Sequence, residues 1–435
     1  MKKTIILPVL AVICLAGGMA FSDDKSEEPR LKFAFSERMR LETWDNTIGF
    51  DSSLADENTY TRTRSSLTAE WKPFDSLLFV CKITNEFRYY FAPDDKEFSI
   101  HEFFFDQLYL KAIEPFGLWG SFTIGRQDMR FGEGFVVMDG GPLDGSRSAY
   151  FNGARVDLNL YNFNGEKGTI TYFYVYQSET DRLLPLINDR SQMLIEQPEE
   201  GYSAYLSCTI EKRVWDVYYI HKNIYETATI KEESSIETLG LRALIPLTGG
   251  LEFTGEAASQ WGSKSDNDRV AFGGYFHLDY KTGESFPLPE LITLGGIYLT
   301  GDNPDTPEWE AWDPLFSRWP KWSESLIYAF IKESKVAYWS NFNSLYASLR
   351  IPLWVDSNLN LTYHFLGADE PAPTSNTFPG GVGTDRGNLF IARLNFKLLP
   401  ELSGHVVWEH LTPGDFYSAG ADGYNWFRTE LLLQL

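Results

Sequence analysis

The sequence predicts an all-β fold, namely a transmembrane, antiparallel, up-and-down β-barrel of eighteen strands. Three observations support this prediction. Polar and apolar residues alternate along most of the chain, and short and long connections alternate between these segments. No apolar run of about 18 residues follows residue 20, so no helix is expected to span a bilayer.

The N-terminus has the layout of a secretory signal. Lys2 and Lys3 precede an apolar run that ends in small residues at Gly18 and Ala20. We therefore expect a signal peptide at 1–20, a short periplasmic segment at 21–29 and a barrel at 30–435. Loss of the two lysines takes the net charge from −22 to −24, which disfavours nucleic acid as a partner.

The predicted strands have one polar and one apolar face. The stretch TRTRSSLTAEWK at 61–72 puts its charged residues on one face and Leu67, Ala69 and Trp71 on the other. The stretches at 77–90, 358–365 and 424–435 repeat this period of two, which is the period of a β-strand. The last strand carries an apolar face up to Leu435, as the C-terminal strand of an outer-membrane barrel does.

The connections between strands fall into two kinds. Short ones, often with proline, begin near residues 72, 114, 162, 211, 245, 282, 351 and 399. Longer and mostly acidic ones lie near 45–58, 91–100, 129–149, 178–200, 223–235, 262–268, 301–335, 366–387 and 412–423. Nine long and eight short connections join eighteen strands and leave both termini on the side of the short turns, which we predict to be periplasmic.

A bilayer environment fits the two strand faces better than a soluble β-sandwich does. The polar faces carry arginines and glutamates, which a sandwich core could bury only at a large desolvation cost. Aromatic residues make up 16% of the chain and cluster near strand ends, as in the girdles of outer-membrane barrels. We expect outer-membrane lipid and lipopolysaccharide as surroundings, and a monomer.

Enzymatic and metal-binding alternatives have weaker support. The six histidines show no HExxH or paired spacing, and no GxSxG elbow is present, although a Ser-His pair across a barrel wall stays open as a hydrolase alternative. The acidic stretch TGDNPDTPEWE at 300–310 resembles a calcium loop but lacks the glycine and terminal glutamate of an EF-hand, so a solvated loop is the simpler interpretation. We expect no cofactor and no catalysis.

Several motifs resemble those of the alginate-export family of outer-membrane porins. They are GRQDMRFGEGF at 125–135 with GSRSAYFNGARVDL at 145–158, GEAASQWG at 255, YLTGDNP with WDPLFSRWP between 298 and 320, and the closing PGDFY and WFRTELLL segments. The resemblance runs from about residue 30 to the C-terminus. It implies an eighteen-stranded barrel, a basic constriction and the export of acidic polysaccharide. Where the family often has RSFDG, this chain has RSAYFNG.

Basic residues are the predicted pore lining and the source of an anion preference. They are Arg38, Arg40, Arg62, Arg64, Lys82, Arg88, Arg126, Arg147, Arg155, Arg242, Arg393 and Arg428. Strict alternation puts Arg126 on the lipid face, so we predict a bulge at Gly125 that turns it inward. An open alternative is that these residues only cross-link the wall with lumen acids, among them Glu42, Glu86, Asp157 and Glu430.

The predicted function is a porin for the passive diffusion or export of anionic or polar solutes, with acidic polysaccharides and sugar acids as candidates. A barrel of this size leaves an aqueous channel. We expect the long connections at 129–149 or 301–335 to fold inward and narrow it. The alternative is a structural or adhesive barrel whose lumen is plugged.

Overall fold

The computed structural model describes residues 30–53, 57–93, 99–138, 151–180, 184, 195–283, 289–317, 322–326, 340–372 and 378–435. The predicted signal peptide at 1–20, the segment at 21–29 and Arg147 lie outside these residues. Within the described part of the chain, no helix is long and apolar enough to cross a membrane.

The regular secondary structure of the described residues is almost entirely β. The strands are β1 (Leu31–Asp45), β2 (Asn58–Phe74), β3 (Leu77–Ala92), β4 (Ser99–Ile113), β5 (Gly120–Gln127), β6 (Val137–Met138), β7 (Phe151–Phe163), β8 (Glu166–Gln177), β9 (Glu199–Ile210), β10 (Arg213–Ile224), β11 (Ser234–Pro246), β12 (Leu251–Lys264), β13 (Asn267–Lys281), β14 (Leu291–Leu299), β15 (Phe316–Ser317), β16 (Phe342–Pro352), β17 (Asn358–Gly367), β18 (Asp385–Leu399), β19 (Leu402–Thr412) and β20 (Tyr424–Gln434). Two single-turn 3-10 helices, Pro115–Gly117 and Thr248–Gly250, lie in short connections.

Eighteen of these strands form one closed antiparallel sheet, which confirms the predicted fold and strand number. Each wall strand pairs with its neighbours along the chain, and β1 pairs with β20 from Ser36↔Gln434 to Asp45↔Asn425, which closes the cylinder. The remaining two strands, β6 and β15, pair with each other in parallel and stand apart from the wall.

Alternation separates two faces of the wall. On one face large apolar side chains such as Leu67, Leu239 and Leu294 are more than half exposed. On the other face lie buried charged residues and a buried aromatic cluster. A period of two in a closed sheet puts these sets outside and inside the cylinder, respectively.

Short connections follow simple hairpin rules. The β7–β8 hairpin turns through Asn164 and Gly165, whose φ angles of 52° and 83° fit the left-handed positions of a type I′ turn. A two-residue turn at Ser265 and Asp266 also replaces one predicted long connection. The prediction at 262–268 is wrong, because β12 and β13 stay paired up to Lys264↔Asn267.

The polar tip of the β12–β13 hairpin is held by another part of the chain. Trp309 donates its backbone N–H to the carbonyl oxygen of Asp268 at 2.7 Å and accepts from the N–H of Val270 at 3.0 Å. The polar residues at 262–268 therefore belong to the end of a long hairpin that extends the wall. The backbone of Trp309, from an irregular connection, packs beside this hairpin end.

Candidate functional site

Two connections fold into the cylinder and fill part of it. The 128–138 segment follows β5, and the 309–317 segment lies between β14 and β16. They join through β6 and β15, where Phe316 donates its N–H to Val136 at 2.9 Å and Ser317 Oγ donates to the carbonyl oxygen of Gly134 at 2.8 Å. Each of the two connections named as inward-folding candidates thus contributes one described segment to a joint structure.

Aromatic contacts hold the two segments against the inner wall. Phe131 stacks on Phe173 and Tyr205, with ring centroids 5.7 and 4.8 Å apart. Phe135 stacks on Trp312 at 5.2 Å. Such pairs add about 0.5–1.5 kcal/mol each beyond the area that they bury.

Trp312 needs space that a wall glycine leaves. A Cβ at Gly273 would lie 2.6 Å from the indole, which is closer than real Cβ contacts. The absence of a side chain in β13 at this position therefore lets the 309–317 segment approach the wall.

A buried lysine anchors the 309–317 segment. Lys222 of β10 is 0% exposed; its Nζ lies 3.1 Å from Asp313 Oδ1 and 3.2 Å from Glu199 Oε2, and it donates to the carbonyl oxygen of Leu315 at 2.8 Å. Gln260 of β12 adds two hydrogen bonds to the backbone of Asp313, at 2.7 and 3.0 Å. A charge is buried here because two carboxylates and a carbonyl group surround it.

The 322–326 segment reaches a different part of the wall. Its Ser323 and Ser325 hydroxyl groups donate to Glu409 of β19, and so do the backbone N–H groups of Glu324 and Ser325. The Glu324 carboxylate contacts Arg393 Nη1 at 3.2 Å and also Arg428. The segment is therefore bound to β18, β19 and β20 by side chain and backbone together.

Most predicted arginines lie on the inner face but are buried in ion pairs. Arg38, Arg40, Arg62 and Arg64 are each 5% exposed or less. The carboxylate contacts are Arg40–Glu430 2.5 Å, Arg62–Glu86 2.6 Å, Arg64–Asp106 2.8 Å, Lys82–Asp106 2.7 Å, Arg155–Asp157 2.8 Å, Arg242–Asp216 3.0 Å and Arg428–Glu42 3.2 Å. Arg88 lies over the ring of Tyr60 at 5.2 Å. These contacts support the wall cross-linking alternative for the β1–β2 arginines.

Arg126 is buried, but not by means of the predicted bulge at Gly125. It is 1% exposed, and it donates to Asn152 Oδ1 and to the carbonyl oxygen of Phe105, both at 2.8 Å. The pairing of β5 with β4 and β7 has no register shift, so the prediction of a bulge at Gly125 is wrong. Gly125 instead has a φ of +126°, where a Cβ would lie 2.3 Å from the carbonyl oxygen of Leu108. Neighbouring polar groups thus satisfy the guanidinium without an extra residue in the strand.

Two cavities lie along the wall from β14 to β20, and the second also borders the 322–326 segment. The wider one, about 610 Å³, is lined near the short turns by Trp354, Lys397 and His405. The narrower one, about 270 Å³, is lined by Trp322, Glu324 and Arg350. Arg393 lines both cavities, and its side chain is 32% exposed. The two cavities are therefore neighbours on this side of the barrel, with Arg393 between them.

Sequence reasoning named Arg393 but missed Arg350 and Glu324. Arg350 shares a face of β16 with Ser344, Tyr346 and Ser348, so alternation could have found it. No periodic signal marks Glu324, because it lies in an irregular connection.

Side-chain oxygens of the acidic 300–310 stretch accept hydrogen bonds from backbone N–H groups of the same stretch. Asp302 accepts a hydrogen bond from the N–H of Glu310, and Asn303 accepts one from the N–H of Asp305, both at 2.9 Å. Among the described residues, no three His, Cys, Asp or Glu side chains are grouped so that they could hold a metal ion.

Known structures resemble this barrel, although no family model and no curated protein matches the sequence. Pseudomonas aeruginosa OccK2 (OpdF), solved in complex with glucuronate, is 10% identical, with a TM-score of 0.56 over 93% of this chain and 96% of that chain. OpdK of the same species, solved with vanillate, is 9% identical, with a TM-score of 0.56 over 93% and 98%. Acinetobacter baumannii OccAB2 is 8% identical, with a TM-score of 0.55 over 94% and 99%. The chain has the closed eighteen-stranded fold of these outer-membrane porins.

Proposed function

We propose that this chain is an outer-membrane channel through which small anionic or polar solutes diffuse passively. The observation that carries the proposal is the pair of cavities along β14 to β20, which share the half-buried Arg393 as a lining residue. A barrel of this strand number has room for such a path beside its inward segments. In this proposal the short turns and both termini lie on the periplasmic side.

An anion preference arises from the charges that line the narrower cavity. Arg350 donates to the neutral amide oxygen of Asn360 at 3.3 Å, and Arg393 is the more exposed member of its ion pair. Glu409 lines the same cavity but is held by four hydrogen bonds from the 322–326 segment. Arg350 is exposed and Arg393 is partly exposed, so these arginines are the charged groups of the cavity that a solute reaches most readily.

Carboxylates on a small ring are the solute class that this lining suits. Arginine binds carboxylates through paired hydrogen bonds, and Trp322 and Trp354 offer flat surfaces to a sugar or aromatic ring. The structures of OccK2 with glucuronate and OpdK with vanillate give two such compounds to test. The motifs similar to the alginate-export family extend the proposal to uronic acids and their oligomers.

A planar bilayer recording tests the proposal. Under a sodium chloride gradient, we expect wild-type channels to conduct with a reversal potential that indicates anion preference, and glucuronate to reduce the current. Arg393→Gln should lower the chloride-to-sodium permeability ratio by about twofold or more, because it removes a positive charge that lines both cavities. Arg213→Gln, at an exposed turn where Arg213 pairs with Glu211, is the matched control and should leave the ratio unchanged.

A structural or adhesive barrel with a plugged lumen is the second candidate. The aromatic packing of Phe131, Phe135, Trp312 and Phe316 inside the barrel favours it. Barrels that insert into the bilayer but pass no current would support this candidate over a channel.

A further inference from the structure

Glu324 occupies the place where a solute carboxylate would bind. Its two carboxylate oxygens contact two arginines from different strands, Arg393 of β18 and Arg428 of β20. Both arginines flank the same inward-facing residue of β19, because Val407 is the register partner of each. The two guanidinium groups thus form a clamp that already holds one carboxylate.

The two arginines differ in their access to solvent. Arg428 is 1% exposed and has a second acidic partner in Glu42 at 3.2 Å. The Arg393 side chain is 32% exposed, lines both cavities, and has Glu324 as its carboxylate contact at 3.2 Å. Glu324 therefore neutralises the arginine that a passing anion reaches.

The backbone of Glu324 is fixed independently of its side chain. Its N–H donates to Glu409 Oε1 at 3.1 Å, and the flanking Ser323 and Ser325 hydroxyl groups donate to Oε2 of the same carboxylate at 2.5 Å. Glu409 is 2% exposed, so these bonds are shielded from water. The side chain is consequently held at the clamp even when its carboxylate is exchanged for another group.

We propose that Glu324 is a built-in carboxylate ligand that competes with anionic solutes for Arg393. This inference rests on the proposed function, because it assumes that anions pass Arg393. A solute carboxylate must share or displace the contact between Glu324 and Arg393. Glu324 therefore sets how tightly anions bind at Arg393 and how strongly the channel prefers anions over cations. Anion selectivity in this barrel then depends on the carboxylate of Glu324 as well as on the arginines.

The test compares Glu324→Gln with wild type in planar bilayers. Glutamine keeps the size and the backbone contacts of Glu324 but removes the charge. We expect the chloride-to-sodium permeability ratio to rise by about twofold to fivefold, and the apparent dissociation constant for glucuronate block to fall by about threefold to tenfold. Glu308→Gln is the matched control, because it removes an equal charge from an exposed position of the same connection and should leave both values unchanged.

Glu324→Asp separates charge from geometry. It keeps the negative charge but is one methylene shorter, so it should release one arginine and give intermediate values. Heat-modifiable migration of each variant on a gel shows whether its barrel is folded. Equal permeability ratios and glucuronate affinities for folded Glu324→Gln and wild type would overturn the inference. A wild-type barrel without anion preference or glucuronate block would instead overturn the proposed function.

Discussion

Burial separates the arginines that stabilise the wall from those that the proposed channel would present to a solute. Arg64 is 5% exposed and lies 2.8 Å from Asp106 and 3.6 Å from Glu86. Its alanine variant leaves these buried carboxylates with one cation fewer. We expect a loss on the order of 3 kcal/mol in the free energy of unfolding and only a minor change in reversal potential.

Urea unfolding in lipid vesicles, followed by tryptophan fluorescence, measures this loss. Arg213→Ala serves as the comparison, because Arg213 pairs with Glu211 at an exposed turn and should change stability by less than about 0.5 kcal/mol. If the Arg64 variant kept wild-type stability but shifted its reversal potential strongly, Arg64 would belong to the ion path and the wall role would be wrong.

Alternation predicted the faces of single residues but not all of their partners. It named four acids that pair with inner arginines, namely Glu42, Glu86, Asp157 and Glu430. It missed Asp106, because the β3–β4 ladder shifts register between Lys82↔Gln107 and Ile83↔Phe105. Because of this shift, two consecutive residues both reach groups inside the barrel: Asp106 contacts Arg64, and Gln107 donates to Asp128. A register shift of this kind depends on the partner strand, which a single segment does not reveal.

At the scale of elements, the spacing of turns predicted the strands but not how the inward segments are fixed. Proline and glycine recur in the short connections, and the alternation of short and long connections allowed eighteen strands to be counted. The anchors of the 309–317 segment come from distant strands, as with Lys222 of β10 and Gln260 of β12. These are long-range contacts that no local pattern encodes.

Lys222 tests whether the 309–317 segment limits the channel. In Lys222→Met, Glu199 and Asp313 lose their buried counter-charge, which costs about 3–5 kcal/mol when one partner of a buried pair is removed. We expect the segment to detach from β10, so that single-channel conductance and open-channel current noise both rise. Lys231→Met, at an exposed position, provides the control. Unchanged conductance in a folded Lys222→Met barrel would show that the segment does not restrict the path.

For the whole molecule, a physical pattern was enough to predict the architecture. Structures with only 8–10% identity share this fold over more than nine tenths of the chain. In this chain the closure of β1 on β20 pairs the last two strand edges, because an unpaired edge in a bilayer would leave backbone groups without hydrogen bonds. The sequence therefore predicted the cylinder more fully than the path through it, which depends on irregular connections.

The two faces of one strand provide a direct test of the cylinder in its bilayer. Thr293 and Leu294 are adjacent in β14, but Thr293 lines the narrower cavity and Leu294 is 54% exposed on the outer face. We expect Leu294→Arg to reduce the free energy of unfolding in lipid vesicles by about 2–4 kcal/mol, because it places a charge in hydrocarbon. Thr293→Arg should cost less, since its guanidinium enters a polar cavity beside Asp279, whose Oδ1 now accepts a hydrogen bond from Thr293 at 2.5 Å. Folding yields across a urea series measure both variants, and equal costs, or a larger cost for Thr293→Arg, would contradict the assignment of lipid to the Leu294 face.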